Sequence, residues 1–154
     1  IIHDCQAPNE HAIHKAIAGA DQAIDLTTPE VSAIRDADRI IGLLEANEIK
    51  KVDLVLNRLR QDLIRRGEMM TVDDVLDILG LPLLGVVPDD ENVVIATNQG
   101  EPLVGKSSDA GQAFYNICRR LEGKEVPFKD FGKNITIWTR FSGLFRRNLQ
   151  EERA

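Results

Sequence analysis

The chain has few cysteines, few aromatic residues and no long hydrophobic run, and each shortage excludes a class of protein. Its 2 cysteines cannot form a disulfide framework, so we expect a protein of a reducing compartment. No run of about 18 apolar residues is present, which excludes a membrane-spanning helix. The net charge of −6 argues against binding to nucleic acid. What is present, 154 residues of which 43% are hydrophobic and 29% charged, is typical of one compact domain.

The charges are distributed unevenly along the chain. Residues 1–123 contain 12 basic and 21 acidic side chains, whereas residues 124–154 contain 7 basic and 4 acidic ones. Such a basic end often has a partner of its own. Because residue 1 is Ile rather than Met, and residues 1–4 resemble the end of a buried strand, we also expect that part of the parent protein precedes this sequence.

Short apolar runs alternate with amphipathic segments over residues 1–123, and this alternation predicts an α/β fold with a parallel sheet flanked by helices. Thr28 is the expected cap of the longest helix, with Pro29 at its first position. The stripe predicted to be buried on that helix comprises Val31, Ile34, Ile41 and Leu44. Further helix boundaries are expected at Thr71 with Asp74, Gly80 and Ser108. The predicted strands are residues 23–27, 52–56 and 83–87, and the predicted helices are residues 10–18, 29–46, 72–79 and 109–121.

Polar residues follow the predicted strands where each strand ends. In a parallel sheet these carboxyl ends lie at one edge, where ligands bind. An Asn or Asp side chain can recognise the amino group of adenine, and an Asp can hold a magnesium-bound water. The set therefore suits a nucleotide, and ordinary turn chemistry is the alternative. Its members are Asp4, Thr27, Thr28, Asn57, Arg58, Pro88, Asp89 and Asp90.

Residues 100–107 match the phosphate-loop pattern Gly-x-x-x-x-Gly-Lys-Ser, but their context argues against that function. Pro102 removes one backbone N–H donor from the loop, and Glu101 places negative charge where phosphates would bind. No strand ending in a magnesium-holding Asp follows them. We therefore predict that this segment is not a phosphate loop.

Residues 135–149 have the pattern of an amphipathic helix, with arginines opposite or beside a face of large apolar side chains. At 1.5 Å per residue the helix is about 22 Å long, which is too short to span a bilayer. It fits the surface of an anionic membrane, and docking on the domain or on a protein partner are the alternatives. The apolar residues are Ile135, Ile137, Trp138, Phe141, Leu144, Phe145 and Leu149, and the arginines are Arg140, Arg146 and Arg147.

Two blocks of sequence are distinctive: Thr-Thr-Pro-Glu-Val-Ser-Ala at 27–33 and Arg-Asp-Ala-Asp-Arg at 35–39. With residues 16–20, 85–88 and 98–102, they resemble the MinD family, deviant Walker A ATPases of the ParA/MinD class that place the bacterial division site. The resemblance covers nearly the whole chain and is strongest to cyanobacterial or plastid members. It implies a P-loop NTPase-like fold of the SIMIBI type, of which this chain is the C-terminal portion.

The resemblance divides the chain into three parts and assigns roles at the predicted nucleotide site. Residues 1–123 correspond to a partial nucleotide-binding domain, residues 124–134 to a linker and residues 135–150 to a membrane-targeting helix. At the site, Asp4 is a catalytic residue that supports magnesium and the γ-phosphate switch. The adenine-binding residues are Asn57, Arg58, Pro88 and Asp90.

The resemblance also implies partners. Ser32, Arg35 and Asp38 lie on the helix that binds MinC- and MinE-like proteins in the family. We expect an ATPase with Mg²⁺ that binds an anionic membrane as an ATP-dependent homodimer and does not bind nucleic acid. Its expected location is cytoplasmic and peripheral on the inner face of the cell membrane, or in the plastid stroma and on the inner envelope.

Two departures from the family pattern affect this interpretation. The phosphate loop with its signature lysine would precede residue 1, so we expect the chain alone to be inactive. Pro8 stands where the family has Gly, and proline offers neither the N–H nor the backbone freedom of that Gly. The alternative function is a non-catalytic, membrane-associated adaptor, or truncated remnant of the family, that keeps the partner helix and the anchor.

Overall fold

The computed structural model describes residues 2–5 and 10–129, without the side chains of residues 10–12. Within these residues, strands and helices alternate as the sequence predicts. The strands are β1 (Ala23–Thr27), β2 (Val52–Leu59) and β3 (Leu83–Pro88). The helices are α1 (Glu10–Ile17), α2 (Val31–Ala46), α3 (Gln61–Arg65), α4 (Val72–Leu79), α5 (Glu91–Gln99) and α6 (Asp109–Leu121).

The three strands form one parallel sheet in the order β1-β2-β3. The register between β1 and β2 is regular, but between β2 and β3 it shifts: Leu54 pairs with Leu83, whereas Val55 pairs with Gly85. Leu84 is therefore an extra residue, a bulge in β3. Because each strand is followed by helices that pack on the sheet, the predicted α/β fold is confirmed.

Apolar side chains cover both faces of the sheet, as expected for buried parallel strands. On one face Leu54 packs with Val75 of α4 and with buried residues of α2. On the other face Val55 packs with Ile117 of α6 and with Ala96 of α5. The central strand β2 is thus enclosed on two sides, and its polar end is held in a well-packed framework.

Gly85 allows α6 to lie close to β3. A Cβ atom at this position would be 2.2 Å from Cγ1 of Ile117, a distance that no side chain tolerates without a shift. The contact between Gly85 and Ile117 therefore sets how α6 lies against the sheet, and with it the position of the first residues of α6.

The predicted ends of α4 and α6 are confirmed. The Thr71 hydroxyl accepts a hydrogen bond from the N–H of Asp74, whose carboxylate accepts one from the N–H of Thr71. Gly80 ends α4 with a φ of 66°. The Ser108 hydroxyl accepts a hydrogen bond from the N–H of Gly111. Each of these groups satisfies backbone donors or acceptors that a helix end leaves unpaired.

The predicted start of α2 is wrong. Glu30, not Thr28, precedes the first helical residue, and no side chain caps the helix. The N–H of Glu30 donates to the carbonyl of Thr28 at 2.8 Å, and this turn around the buried Pro29 delays the helix to Val31. Val31, predicted to be buried, is 60% exposed, because the helix begins with it. The other three residues of the predicted stripe are buried: Ile34, Ile41 and Leu44.

Three further predictions differ from the structure. β2 continues to Leu59 rather than ending at residue 56, and residues 2–5 have no regular secondary structure in place of the predicted strand. The helices α3 and α5 were not predicted. The sequence of α5 contains the β-branched run Val93-Val94-Ile95, which is untypical of a helix, and the side chain of Asp90 caps its first turn by accepting from the N–H of Asn92.

Candidate functional site

The strands β1, β2 and β3 end at the same side of the sheet, which we call the carboxyl edge. It is formed by Thr27, Leu59 and Pro88, the last residues of the three strands. At this edge Leu59 pairs with Pro88, and the N–H of Asp89 donates to the carbonyl of Leu59 at 3.0 Å. The structure therefore brings the end of β2 together with the residues that follow β3, although Asn57 and Arg58 lie within the last three residues of β2 rather than after it.

Asn57 and Arg58 lie at an irregularity in β2. The register with β3 shifts between Leu56 and Leu59, and Arg58 has a φ of 56°, in the left-handed region that favours glycine. For a residue with a side chain this conformation costs roughly 1–2 kcal/mol. The N–H of Arg58 donates to Oδ1 of Asn57 at 3.0 Å, which fixes the Asn57 amide. Strain of this kind is concentrated at binding sites, where the surrounding fold enforces it.

Arg58 also contacts the residue that follows β3. Its Nε lies 3.5 Å from Oδ1 of Asp89, and the two side chains are 71% and 40% exposed. An ion pair this exposed adds less than about 1 kcal/mol to stability, so its contribution is to the position of the two side chains. No motif in the sequence indicated this pairing, because it depends on the register of β2 and β3.

Asp90 links the end of β3 to two helices. Oδ1 accepts a hydrogen bond from the N–H of Asn92 at 2.9 Å, in the first turn of α5, and Oδ2 accepts one from the N–H of Ala110 at 3.0 Å, in the first turn of α6. These N–H groups, with that of Ala110 first, lower the pKa of the Asp90 carboxyl. The carboxylate thus holds the starts of both helices at the carboxyl edge, where their dipoles favour negative charge.

A groove of about 610 Å³ opens beside this edge, between β3, α3 and α6. Charged and polar side chains line most of it. Its lining includes Arg60, Asp62, Pro88, Asp89, Asp109 and Lys129.

The residues at the carboxyl edge fit the base of a nucleotide. An amide oxygen has two lone pairs, so Oδ1 of Asn57 can accept a second hydrogen bond from an adenine amino group. Pro88, which pairs with Leu59 at the end of β2, is half-buried and offers a flat apolar surface. Among the described residues there is no group of three acidic, His or Cys side chains that could hold a metal ion. Asp4 is exposed in a segment without regular secondary structure, and its magnesium-binding and catalytic role stays a prediction.

The structure confirms that residues 100–107 are not a phosphate loop. They connect α5 to α6, whereas a phosphate loop connects a strand to a helix. Gly100 ends α5 with a φ of 66°, and Lys106 pairs with Glu101 rather than projecting toward an open cradle.

The predicted partner-binding residues Ser32, Arg35 and Asp38 are all exposed. All three lie on α2, with Ser32 and Arg35 on the side away from the buried Ile34 and Ile41 and Asp38 at the flank of that buried face. Their positions suit contact with another protein, and the contact itself stays a prediction.

The predicted membrane helix lies outside the described residues, as do Pro8 and residues 130–134 of the predicted linker. None of the helices in the described ranges has the length and apolar character required to cross a membrane.

Comparison with curated proteins gives close relatives. The chain is 53% identical over 133 residues to the "Septum site-determining protein MinD" of Synechocystis sp., covering 85% of the chain and 50% of that protein. It is 51% identical over 153 residues to the "Putative septum site-determining protein MinD" of Chlorella vulgaris, covering 98% of the chain and 52% of that protein. The chain therefore spans about half the length of the curated relatives it matches. No family model matches the sequence.

Solved structures agree with these relatives. MinD from Aquifex aeolicus superimposes with a TM-score of 0.72 and 40% identity, covering 75% of this chain and 49% of that one. The Aquifex aeolicus MinC:MinD complex gives a TM-score of 0.73 at 39% identity, covering 77% of this chain and 50% of that one. MinD of Pyrococcus horikoshii, solved with Mg-ADP, gives 0.66 at 25% identity, covering 77% of this chain and 48% of that one.

Proposed function

We propose a function from the premise that the chain belongs to the family of septum site-determining MinD proteins, over the half of their length that it spans. Its folded part forms the adenine side of an ATP site, its helix α2 recruits MinC- and MinE-type proteins, and residues 135–149 bind an anionic membrane. As part of an ATP-dependent homodimer, it acts in division-site placement. It would work in the cytoplasm or the plastid stroma, at the inner surface of the membrane.

One observation carries the nucleotide-binding role. The left-handed backbone at Arg58 and its N–H bond to Asn57 hold the Asn57 amide near the end of β2, where Leu59 pairs with Pro88, at the edge where a parallel sheet binds its ligand. Asn57 would orient the base through its amide, and Pro88 would cover one side of it. Mg²⁺, when bound, would neutralise phosphate charge, with Asp4 as the predicted residue near it. A relative solved with Mg-ADP supports this ligand class.

The partner role is supported by the exposure of Ser32, Arg35 and Asp38 on α2, and by a structural relative that was solved as a MinC:MinD complex. The membrane role is supported by the sequence of residues 135–149, which combines a wide apolar face with arginines.

Titration of the ¹⁵N-labelled chain with ADP, followed by NMR, tests the nucleotide site. We expect weak binding, because contacts to the base alone are few, with shifts confined to residues near 57–58 and 88–90. Asn57→Ala should abolish these shifts. Asn47→Ala, which removes an exposed Asn at the end of α2, should leave them unchanged. Shifts centred on residues 100–107, or equal shifts in the Asn57 variant, would contradict the proposed site.

Sedimentation with vesicles of phosphatidylglycerol and phosphatidylethanolamine tests the membrane role. The full chain should pellet with the vesicles, and a chain ending at Gly132 should remain in the supernatant. Phe141→Ser should reduce pelleting by removing apolar contact, while Ser142→Ala, which removes only a hydroxyl, should not. Equal pelleting of the full and shortened chains would rule out the anchor. If the full chain pellets and ADP does not change the pelleted fraction, the adaptor function is favoured.

A further inference from the structure

The carboxylate of Asp90 has its hydrogen-bonding capacity filled by the protein itself. Oδ1 accepts from the N–H of Asn92 at 2.9 Å and from Nδ2 of the same residue at 2.7 Å. Oδ2 accepts from the N–H of Ala110 at 3.0 Å, and the Ser108 hydroxyl is a further donor to the carboxylate. Because a carboxylate offers about four lone pairs, these donors leave no acceptor for an adenine amino group. The family resemblance places Asp90 among the adenine-binding residues, so its contribution to that site needs another physical basis.

The donors to Asp90 belong to the starts of two helices. Asn92 lies in the first turn of α5, and Ala110 lies in the first turn of α6. In the chain, Asp90 directly follows Asp89, whose N–H donates to the carbonyl of Leu59 at the end of β2 at 3.0 Å. A displacement of Asp90 relative to α6 would therefore displace the residues at the end of β3.

The first turn of α6 is fixed by the loop that precedes it. A Cβ atom at Gly111 would be 2.7 Å from the carbonyl oxygen of Leu103 and 2.8 Å from that of Lys106. Leu103 is buried in the same core cluster as Ala110, so moving the loop away would open that core. Residues 100–107, which match the phosphate-loop pattern, thus support α6 through their backbone carbonyls.

The residues that follow α6 hold its first turn from another side. Nζ of Lys129 lies 2.8 Å from Oδ1 of Asp109, the first residue of α6. The guanidinium of Arg120 holds the chain that leads to Lys129. It donates to three backbone carbonyl oxygens, those of Leu84, Val126 and Pro127. The start of α6 is therefore a fixed point, to which Asp90 ties the end of β3.

We propose that Asp90 is a positioning residue rather than a ligand of the base: by tying the end of β3 to the first turn of α6, it sets the place of Pro88 and Asp89 at the carboxyl edge. This inference rests on the proposed nucleotide role. The base is contacted by Asn57 and by the surface of Pro88, and Asp90 acts only through the residues that precede it.

A comparison of two nucleotides separates positioning from direct contact. Inosine diphosphate has nearly the shape of ADP but carries a carbonyl oxygen in place of the amino group. NMR titration of the ¹⁵N-labelled chain with each gives two dissociation constants and their ratio. Asp90→Asn replaces one carboxylate oxygen by a donor, which cannot accept from the N–H of either helix. Both nucleotides should bind about fivefold more weakly, with the ratio unchanged. Glu91→Gln, which removes the charge of the next, exposed residue, should leave both constants unchanged.

Direct contact between Asp90 and the base predicts a different result. The new NH₂ group of Asp90→Asn could donate to the carbonyl oxygen of inosine diphosphate, so the variant would weaken the binding of ADP selectively. A changed ratio would therefore overturn the positioning role and leave the nucleotide site in place. Absence of ADP binding by the wild type would contradict the nucleotide site itself, and this inference with it.

Hydrogen exchange without nucleotide separates positioning from the capping of helices alone. In Asp90→Asn the amide of Asp89, which bonds to the end of β2, should exchange severalfold faster. Loss of the helix caps alone would speed exchange only at Asn92 and Ala110. Ser108→Ala removes one donor to the carboxylate without changing Asp90, and it should have the same effects in smaller degree, even if Asp90→Asn does not fold. Exchange of Asp89 at the wild-type rate in these variants would show that Asp90 only caps the helices and would overturn the proposal.

Discussion

Asp25 is a carboxyl group in a position that disfavours its charge. In β1 it shares a face with Ala23 and the buried Thr27, and this face packs against α2. Its Oδ2 is buried and has no hydrogen-bond partner among the described residues. Burial raises the pKa of the Asp25 carboxyl from 3.8 to about 6. The folded chain therefore holds this proton more tightly than the unfolded chain does.

The expected effect on stability follows from that difference. The penalty for ionising Asp25 is absent below pH 3.8, grows as the pH rises to about 6, and is constant above it. The two pKa values differ by an amount that corresponds to about 3 kcal/mol. Because the carboxyl is partly exposed, solvent screening reduces the expected penalty to about 1–2 kcal/mol.

Asp25→Asn tests this reasoning, since it removes the charge and keeps the shape. Urea unfolding followed by circular dichroism should show the variant to be more stable than the wild type by about 1–2 kcal/mol at pH 8. The advantage should shrink as the pH falls toward 4. Asp36→Asn, at an exposed position on α2, should show no such trend. An advantage that is constant with pH, or a variant less stable than the wild type at pH 8, would refute the argument.

Three further predictions concern other parts of the fold. Thr71→Ala removes the hydroxyl of the capping box and should lower the free energy of unfolding by about 1 kcal/mol in urea titrations; an unchanged midpoint would contradict its role. Gly85→Ala brings a Cβ against Ile117 and should destabilise the chain by roughly 1–3 kcal/mol, but by less in an Ile117→Ala background, which has neither Cγ1 nor Cδ1; thermal unfolding that shows no loss would disprove the close contact. Lys106→Ala should leave the ADP-induced NMR shifts unchanged, because residues 100–107 do not bind phosphate, and a loss of those shifts would show that they do.

Most of the fold could be predicted from local sequence patterns. Each strand is a short apolar run, and the capping box of Thr71 and Asp74 marks the start of α4 at the correct residue. The start of α2 and the helix α5 were missed because each depends on a hydrogen bond between residues two positions apart that the predicted motifs did not include. Thr28 has the chemistry of a cap, but the turn around Pro29 moves the start of α2 to Val31. Similarly, α5 forms from a poor helical sequence because Asp90 caps its first turn.

The sequence predicted which residues belong to the candidate site but not how they are arranged. The residues near the ends of β2 and β3 were identifiable because parallel strands place their ends together. The left-handed backbone at Arg58 and its pairing with Asp89 were not, since both depend on a register shift between β2 and β3. The tie from Asp90 to Ala110 joins residues 20 positions apart, a separation that no local pattern reveals.

The sequence by itself determined the class of fold, the polar residues at the carboxyl edge and the rejection of residues 100–107 as a phosphate loop. These depend on periodicity and on backbone chemistry, which are properties of neighbouring residues. Only the tertiary structure decided that Arg120 ties the chain after α6 to β3, and that this chain returns to the same edge as Asn57 and Pro88. The reason is physical: a side chain with five donors binds whichever carbonyls folding brings within 3 Å or so, and that choice is made by packing rather than by sequence distance.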